Sequence, residues 1–185
     1  SDRVTVVSPD RPGTFSKVAG VLALHSLDVL GAEAHSDEQG MAASEFRVTS
    51  PHGDIEWEPI VLNLERALSD RLALDSRLAD RAANARPRRA TSAVAPSAPT
   101  VRFDDGASSN ATFLEVRAPD MVGVLHRITK AIADFGLDIR HARVLTLGDE
   151  VVDSFYVRES DGGLITDQGY KDEVVRAILF ALGAK

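Results

Sequence analysis

Apolar and polar positions alternate along this chain in two rhythms, and the same order of rhythms occurs twice. "RVTVVSP" near the start alternates with period two, the mark of a half-buried strand. Phe15, Val18, Leu22 and His25 then recur at helical spacing, which predicts one buried helix face. "LDVLGAEAHS" (27–36) and "MAASEFRVTS" (41–50) read as two strands around the turn "DEQG" (37–40). Farther on, "TFLEVRAP" (112–119) repeats the first strand, and Leu125, Ile128, Ile132 and Phe135 repeat the helix face. "LDIRHARVLTL" (137–147) and "VVDSFYVRE" (151–159) flank the turn signal "GDE" (148–150), as in a hairpin. "TDQGYKDEVVRAILFAL" (166–182) reads as a closing helix.

The repeat is clearest in "PDRPGTFSKVAGVLALHSLDV" (9–29) against "PDMVGVLHRITKAIADFGLDI" (119–139). Internal repeats decide architecture. The expected class is α+β: two ferredoxin-like βαββαβ domains in tandem, each an antiparallel sheet with helices on one face. Residues 1–83 make the first domain, with a continuous second helix from about Glu58 to Ala83. The strand "VRF" (101–103) is expected to complete it. Residues 84–100, rich in proline, alanine and serine, read as a flexible linker, and 111–185 as the second domain. The second copy has no last strand of its own, so its sheet stays at three strands or borrows an edge.

Composition narrows the function classes. The 185 residues carry a net charge of −7, a poor match for nucleic acid or anionic membrane, so neither is an expected partner. There is no cysteine, which removes disulfides and thiolate chemistry and fits a cytoplasmic location. No apolar run approaches the ~20 residues of a membrane span. The chain opens inside a strand-like run and reads as an excerpt of a longer protein.

Candidate chemistry sits in the repeated strand-to-helix loop, Asp10-Arg11-Pro12-Gly13 and Asp120-Met121-Val122-Gly123. A helix N-terminus offers unpaired N–H groups and the positive end of the dipole, and glycine lets a ligand approach the backbone. That suits a small carboxylate, with Asp10 or Asp120 accepting from an ammonium group. The plainer reading is that both aspartates cap their helices.

At these residues the sequence resembles a known family. The run from "VRFDDGASSNATFLEVRAPD" to "GDEVVDSFYV" is similar to the C-terminal tandem ACT domains of the bacterial PII uridylyltransferase / uridylyl-removing enzymes. The resemblance implies a regulatory pair that senses glutamine. Through catalytic domains absent from this chain, that pair controls uridylyl attachment to and removal from the signal protein PII. It further implies a ligand between domains, near Asp10, Gly13 and Thr14 in one copy and Asp120, Gly123 and Val124 in the other, with a homodimer through the ACT sheets. Those absent domains would need a divalent metal; this chain needs no cofactor. Met121 departs from the arginine common in the family loop, which leaves open whether one loop binds or both.

No catalytic or metal-binding constellation is expected. His25, on an apolar helix face, reads as a satisfied core histidine, and His126, early in a helix, as solvated. His35 and His52 form no ligand pair with them, and His141 on a strand is a candidate donor to a ligand amide. The basic run "RPRR" (86–89) reads as linker. Two competing readings share the fold. An RNA-binding pair would use strand aromatics, but Phe46, Phe155 and Tyr156 lack the basic, glycine-flanked pattern. A small acylphosphatase-like enzyme would need an arginine and asparagine pair that the second loop does not offer. An ACT regulator of some other amino-acid enzyme is the third alternative.

Overall fold

The computed structural model describes residues 1–85 and 97–184. Strand β1 (Asp2–Pro9), helix α1 (Thr14–Leu24), strands β2 (Asp28–Ser36) and β3 (Met41–Thr49) and helix α2 (Trp57–Leu68) open the chain. The same order returns in β5 (Thr112–Pro119), α4 (Val124–Asp134), β6 (Asp138–Leu147), β7 (Glu150–Arg158) and α5 (Gln168–Ala181). Between them lie α3 (Leu74–Asn84) and β4 (Thr100–Asp104). The strands form one antiparallel seven-stranded sheet in the order β1-β3-β2-β6-β7-β5-β4. The seam is β2 against β6, where Ala32 opposes Ala142.

Periodicity explains these elements. In β3, Ala42, Ser44, Phe46 and Val48 are buried while Met41, Glu45 and Arg47 face solvent. In β5, Leu114, Val116 and Ala118 turn to the helices. Helix α1 packs on α2, α3 and α4, and α4 on α5, so one helical layer covers one sheet face. Phe46 and Phe155, at matching places in β3 and β7, are fully buried in a shared core.

Three expectations are corrected. The strand at 101–103 does not complete the first unit: β4 pairs antiparallel with β5, Val101 against Val116. A short loop after β4 makes that hairpin local, whereas the β1 edge lies at the far side of the sheet and closing that longer loop costs more entropy. Val101 and Phe103 pack against the core, and the Lys171 ammonium lies over the Phe103 ring at 5.7 Å while bonding Asp105 at 2.5 Å. The borrowed edge thus belongs to the second unit, and the first sheet portion keeps three strands.

The long helix from Glu58 to Ala83 is two helices. Asp70 adopts a left-handed conformation (φ 57°) just after Ser69, whose hydroxyl bonds back to the Glu65 carbonyl at 2.7 Å. Lys17 on α1 holds Asp70 at 2.6 Å. The break turns α3 across the meeting of α1 and α4, where Leu74 and Leu78 are buried. Most of the expected linker, including "RPRR" (86–89), lies outside the described residues. The third correction is His126, expected in solvent and found 4% exposed.

Candidate functional site

Both strand-to-helix loops are built alike. The Asp10 N–H donates to the Gly40 carbonyl at 2.8 Å, and the Asp120 N–H to the Asp149 carbonyl at 2.9 Å, so each loop is pinned to its own hairpin turn. Each helix begins after a left-handed glycine, Gly13 (φ 85°) or Gly123 (φ 75°), and no side chain caps either one. Glycine, rather than Asp10 or Asp120, thus occupies each N-cap, and the first helical N–H of each, Thr14 or Val124, donates to the Arg11 or Met121 carbonyl at 3.2 or 3.1 Å. Thr14 and Val124 open the helices, Thr14 half-buried and Val124 buried.

The two loops stand apart. Alternating strand directions put the C-terminal ends of β1 and β5 at opposite ends of the sheet, so the loops would serve two sites rather than opposing walls of one. Their surroundings also differ. A Cβ on Gly123 would meet Leu78 of α3 at 3.5 Å, so α3 covers the second loop. At Gly13 the nearest such atom is Ser16 Oγ at 3.8 Å, and the glycine borders a cavity of about 320 Å³.

That cavity lies between the start of α1, the α2–α3 turn and the second half of α4. Its walls carry both signs of charge. Lys17 pairs with Asp70 at 2.6 Å, and Lys130 approaches Asp134 at 3.7 Å. His126 sits on its floor, with Nδ1 2.7 Å from the Ser16 carbonyl and Nε2 2.7 Å from the Asp75 carboxylate. Both partners are acceptors that a ring N–H can serve. The α1–α4 approach is close there because residue 20 is glycine: a Cβ would fall 2.7 Å from His126 Nδ1.

On the sheet side of the same loop, Asp10 acts on Asp138 at the start of β6. Burial raises the Asp138 carboxyl, Arg140 pulls it down, and Asp10 pushes it up again. Arg140 lies 3.1 Å from Asp138 without hydrogen-bond alignment, leaving its buried Nε unsatisfied. It occupies a β-bulge, a break in register between Ile139 and His141. Bulges re-aim side chains and recur beside binding sites. The matching bulge in β2, between Val29 and Gly31, holds Leu30, so the second loop has no equivalent arginine.

Of the sequence candidates, Gly13 lines the cavity, Asp10 and Thr14 flank it in the chain, and Asp120, Gly123 and Val124 are at the far end. His141 is not brought to either loop's helix side. It lies on the helix-free sheet face, 3.6 Å from Glu33 and beside Tyr156. Sequence reasoning missed Lys17, Asp70, Asp75, Lys130 and Arg140. A heptad-like search for small residues on α1 would have flagged Gly20, and with it a close helix partner.

Comparison with known proteins fits this geometry. The family model described as "ACT domain" matches residues 112–168. That match runs from β5 to the start of α5. Beyond it, the chain is 36% identical over 169 residues to a bifunctional uridylyltransferase/uridylyl-removing enzyme of Gluconobacter oxydans, covering 89% of this chain and 18% of that enzyme. The enzymes of the same description from Erythrobacter litoralis and Streptomyces coelicolor are 32% and 38% identical, over 96% and 85% of this chain and 20% and 19% of theirs. The chain thus spans about a fifth of the length of these relatives. The solved regulatory subunit of aspartate kinase from Thermus thermophilus aligns over 97% of this chain and 90% of its own at 12% identity, with a TM-score of 0.29, a likeness too slight to add to the assignment. The ACT match covers the half whose loop is closed by Leu78. The open cavity faces the N-terminal repeat of the same element order. Among the described residues no helix is long and apolar enough to cross a membrane.

Proposed function

We propose that this chain is an amino-acid-responsive regulatory module, two ACT units in tandem, with glutamine as effector. In the longer protein it would set the balance between attaching uridylyl to PII and removing it, through catalytic domains outside this chain. The observation that carries the reading is the asymmetry of the two glycine N-caps, Gly123 sealed by Leu78 and Gly13 facing the cavity. It implies one effector site per chain. Lys17 and Lys130 complement an α-carboxylate, and Asp70, Asp75 and Asp134 an α-ammonium. Exchange of the Lys17–Asp70 pair for the two ends of a zwitterion keeps every charge partnered and lets the ligand pull on the α2–α3 turn. A ligand regulates only by its differential affinity for two arrangements, and that turn is the part whose position it would bias. The choice of glutamine rests on the family resemblance. The test is thermal unfolding and calorimetry against all twenty amino acids. Glutamine at 100 times its Kd should add about 2.7 kcal/mol, with one site per chain, and glutamate should not. Lys17→Ala should weaken that binding. No response to any amino acid would overturn the reading; a response to a different one would overturn glutamine alone.

A further inference from the structure

The sheet face turned away from the helices is ordered in rows. Register places Arg47 beside Gly31, Gly31 beside Arg143, Arg143 beside Ser154, Ser154 beside Glu115, and Glu115 beside Arg102. Arg47, Arg143 and Arg102 are exposed, and none makes an ion pair with another of the described residues. Gly31 leaves a gap at the seam, and the Arg47 guanidinium comes within 3.6 Å of where its Cβ would be. Unpaired cations in a line call for a partner with regularly spaced negative charge.

The next row carries flat rings. His141 opposes Tyr156, and Tyr156 opposes Phe113. Tyr156 stands 5.3 Å from Phe113 and 5.8 Å from His141, and all three are half-buried. They occupy three adjacent strands. The sequence set nucleic acid aside on its acidic charge and on the missing basic, glycine-flanked pattern at Phe46, Phe155 and Tyr156; in the fold Phe46 and Phe155 point into the core, while Phe113, not weighed there, joins Tyr156 outside. The net charge of −7 is a property of the whole chain, whereas the arginine row is local.

We propose that this face is a platform for single-stranded RNA, with bases stacked on Tyr156, Phe113 and His141 and phosphates on the Arg47–Arg143–Arg102 row. Stacking rings on the middle strands beside cations that track a backbone is the chemistry by which open sheets hold single strands. The row crosses five inter-strand steps, roughly 24 Å at ~4.8 Å each, so it fits several nucleotides and exceeds one mononucleotide. Acids share the face: Glu115 pairs with Arg117 and Glu45 with Arg3, and Glu33, 3.6 Å from His141, works against the rings.

The test is fluorescence anisotropy of the 185-residue chain with a labelled oligouridylate at low salt, with uridine monophosphate and an RNA duplex as competitors. Binding should weaken with a log–log salt slope of about −2, some −0.7 for each of three phosphates. Arg143→Ala should reduce that slope by about 0.7, Tyr156→Ala should weaken binding at least ~10-fold, and Glu33→Gln should tighten it. Because Tyr156→Ala touches a packed ring, the exposed Arg143→Glu serves as a second loss variant, with unchanged thermal unfolding as the fold control. Absence of oligouridylate binding at low salt would overturn the proposal. So would equal competition by the monophosphate or the duplex. A dimer in sedimentation that Arg143→Glu dissociates, without RNA affinity, would overturn it and give the face to a second copy. None of these readouts depends on the Gly13 cavity, on the other side of the sheet.

Discussion

Asp153 sits in the middle of β7 with 0% exposure, on the side of the sheet that meets the helices, between Val151 and Phe155. Neither carboxyl oxygen has a hydrogen-bond partner among the described residues. Burial pushes the carboxyl up to about 7, and the neighbouring Leu145 N–H, outside hydrogen-bond geometry, offsets only part of that. The unfolded chain titrates it near 3.9. Between those values the folded state holds a proton that the unfolded state has lost, so stability falls as pH rises from about 4 to 7. At 1.36 kcal/mol per unit, the full penalty is roughly 4 kcal/mol, of which about 2.5 falls between pH 5 and pH 8. Asp153→Asn keeps the shape and cannot ionise. Its denaturant midpoint, compared with the parent chain at pH 5, 6, 7 and 8, should therefore gain steadily on the parent as pH rises. The difference cancels every other titrating group. A difference that stays constant from pH 5 to pH 8 would refute a raised Asp153.

Further perturbations test the helix layer. Gly20→Ala would ordinarily gain about 1 kcal/mol in a helix, but here the new Cβ falls 2.7 Å from His126 Nδ1 and 2.8 Å from Leu74 Cδ2, so urea unfolding should show a loss of about 1–3 kcal/mol. Leu78→Ala removes a buried side chain and should cost about 2–4 kcal/mol. It also uncovers Gly123, so calorimetry with the effector should then report two sites; one site with the fold intact would show that Leu78 is not what closes the second loop. His25 bonds Asn63 at 3.0 Å, and burial, then Arg81, lowers its affinity for a proton. The unfolded state thus binds the extra proton, and the chain should lose stability as pH falls through about 6.5, an effect His25→Gln should remove in the pH dependence of the melting temperature.

Part of this protein is local, and the sequence by itself determined that part. Period-two runs became β1, β3, β5 and β7, and the i, i+3, i+7 faces became α1 and α4, because each pattern matches the geometry of the element that buries it. The repeat made both glycine-led loops visible, and Gly136, left-handed at φ 68°, follows the end of α4. Ser26 takes the same conformation, φ 61°, without glycine's freedom, steadied by a bond from Arg81 on α3. That bond crosses between helices, and such cross-chain partnerships are what only the tertiary structure decided. That β4 pairs with β5 and not β1 is settled by the short loop between them together with what Phe103 buries, and the repeat pattern alone pointed the other way. The break at Asp70 is stabilised by Lys17, far off in sequence, and it alone lays α3 over one glycine loop while leaving the other open. His126 looked solvated because its helix position is polar in isolation, and α3 and α1 bury it by supplying acceptors at both ring nitrogens. Register fixed the rest: a bulge aims Arg140 at Asp138, and strand phase divides the aromatics between core and open face. Local pattern names the elements; long-range pairing, where loop entropy is weighed against burial and charge, decides which side chains meet.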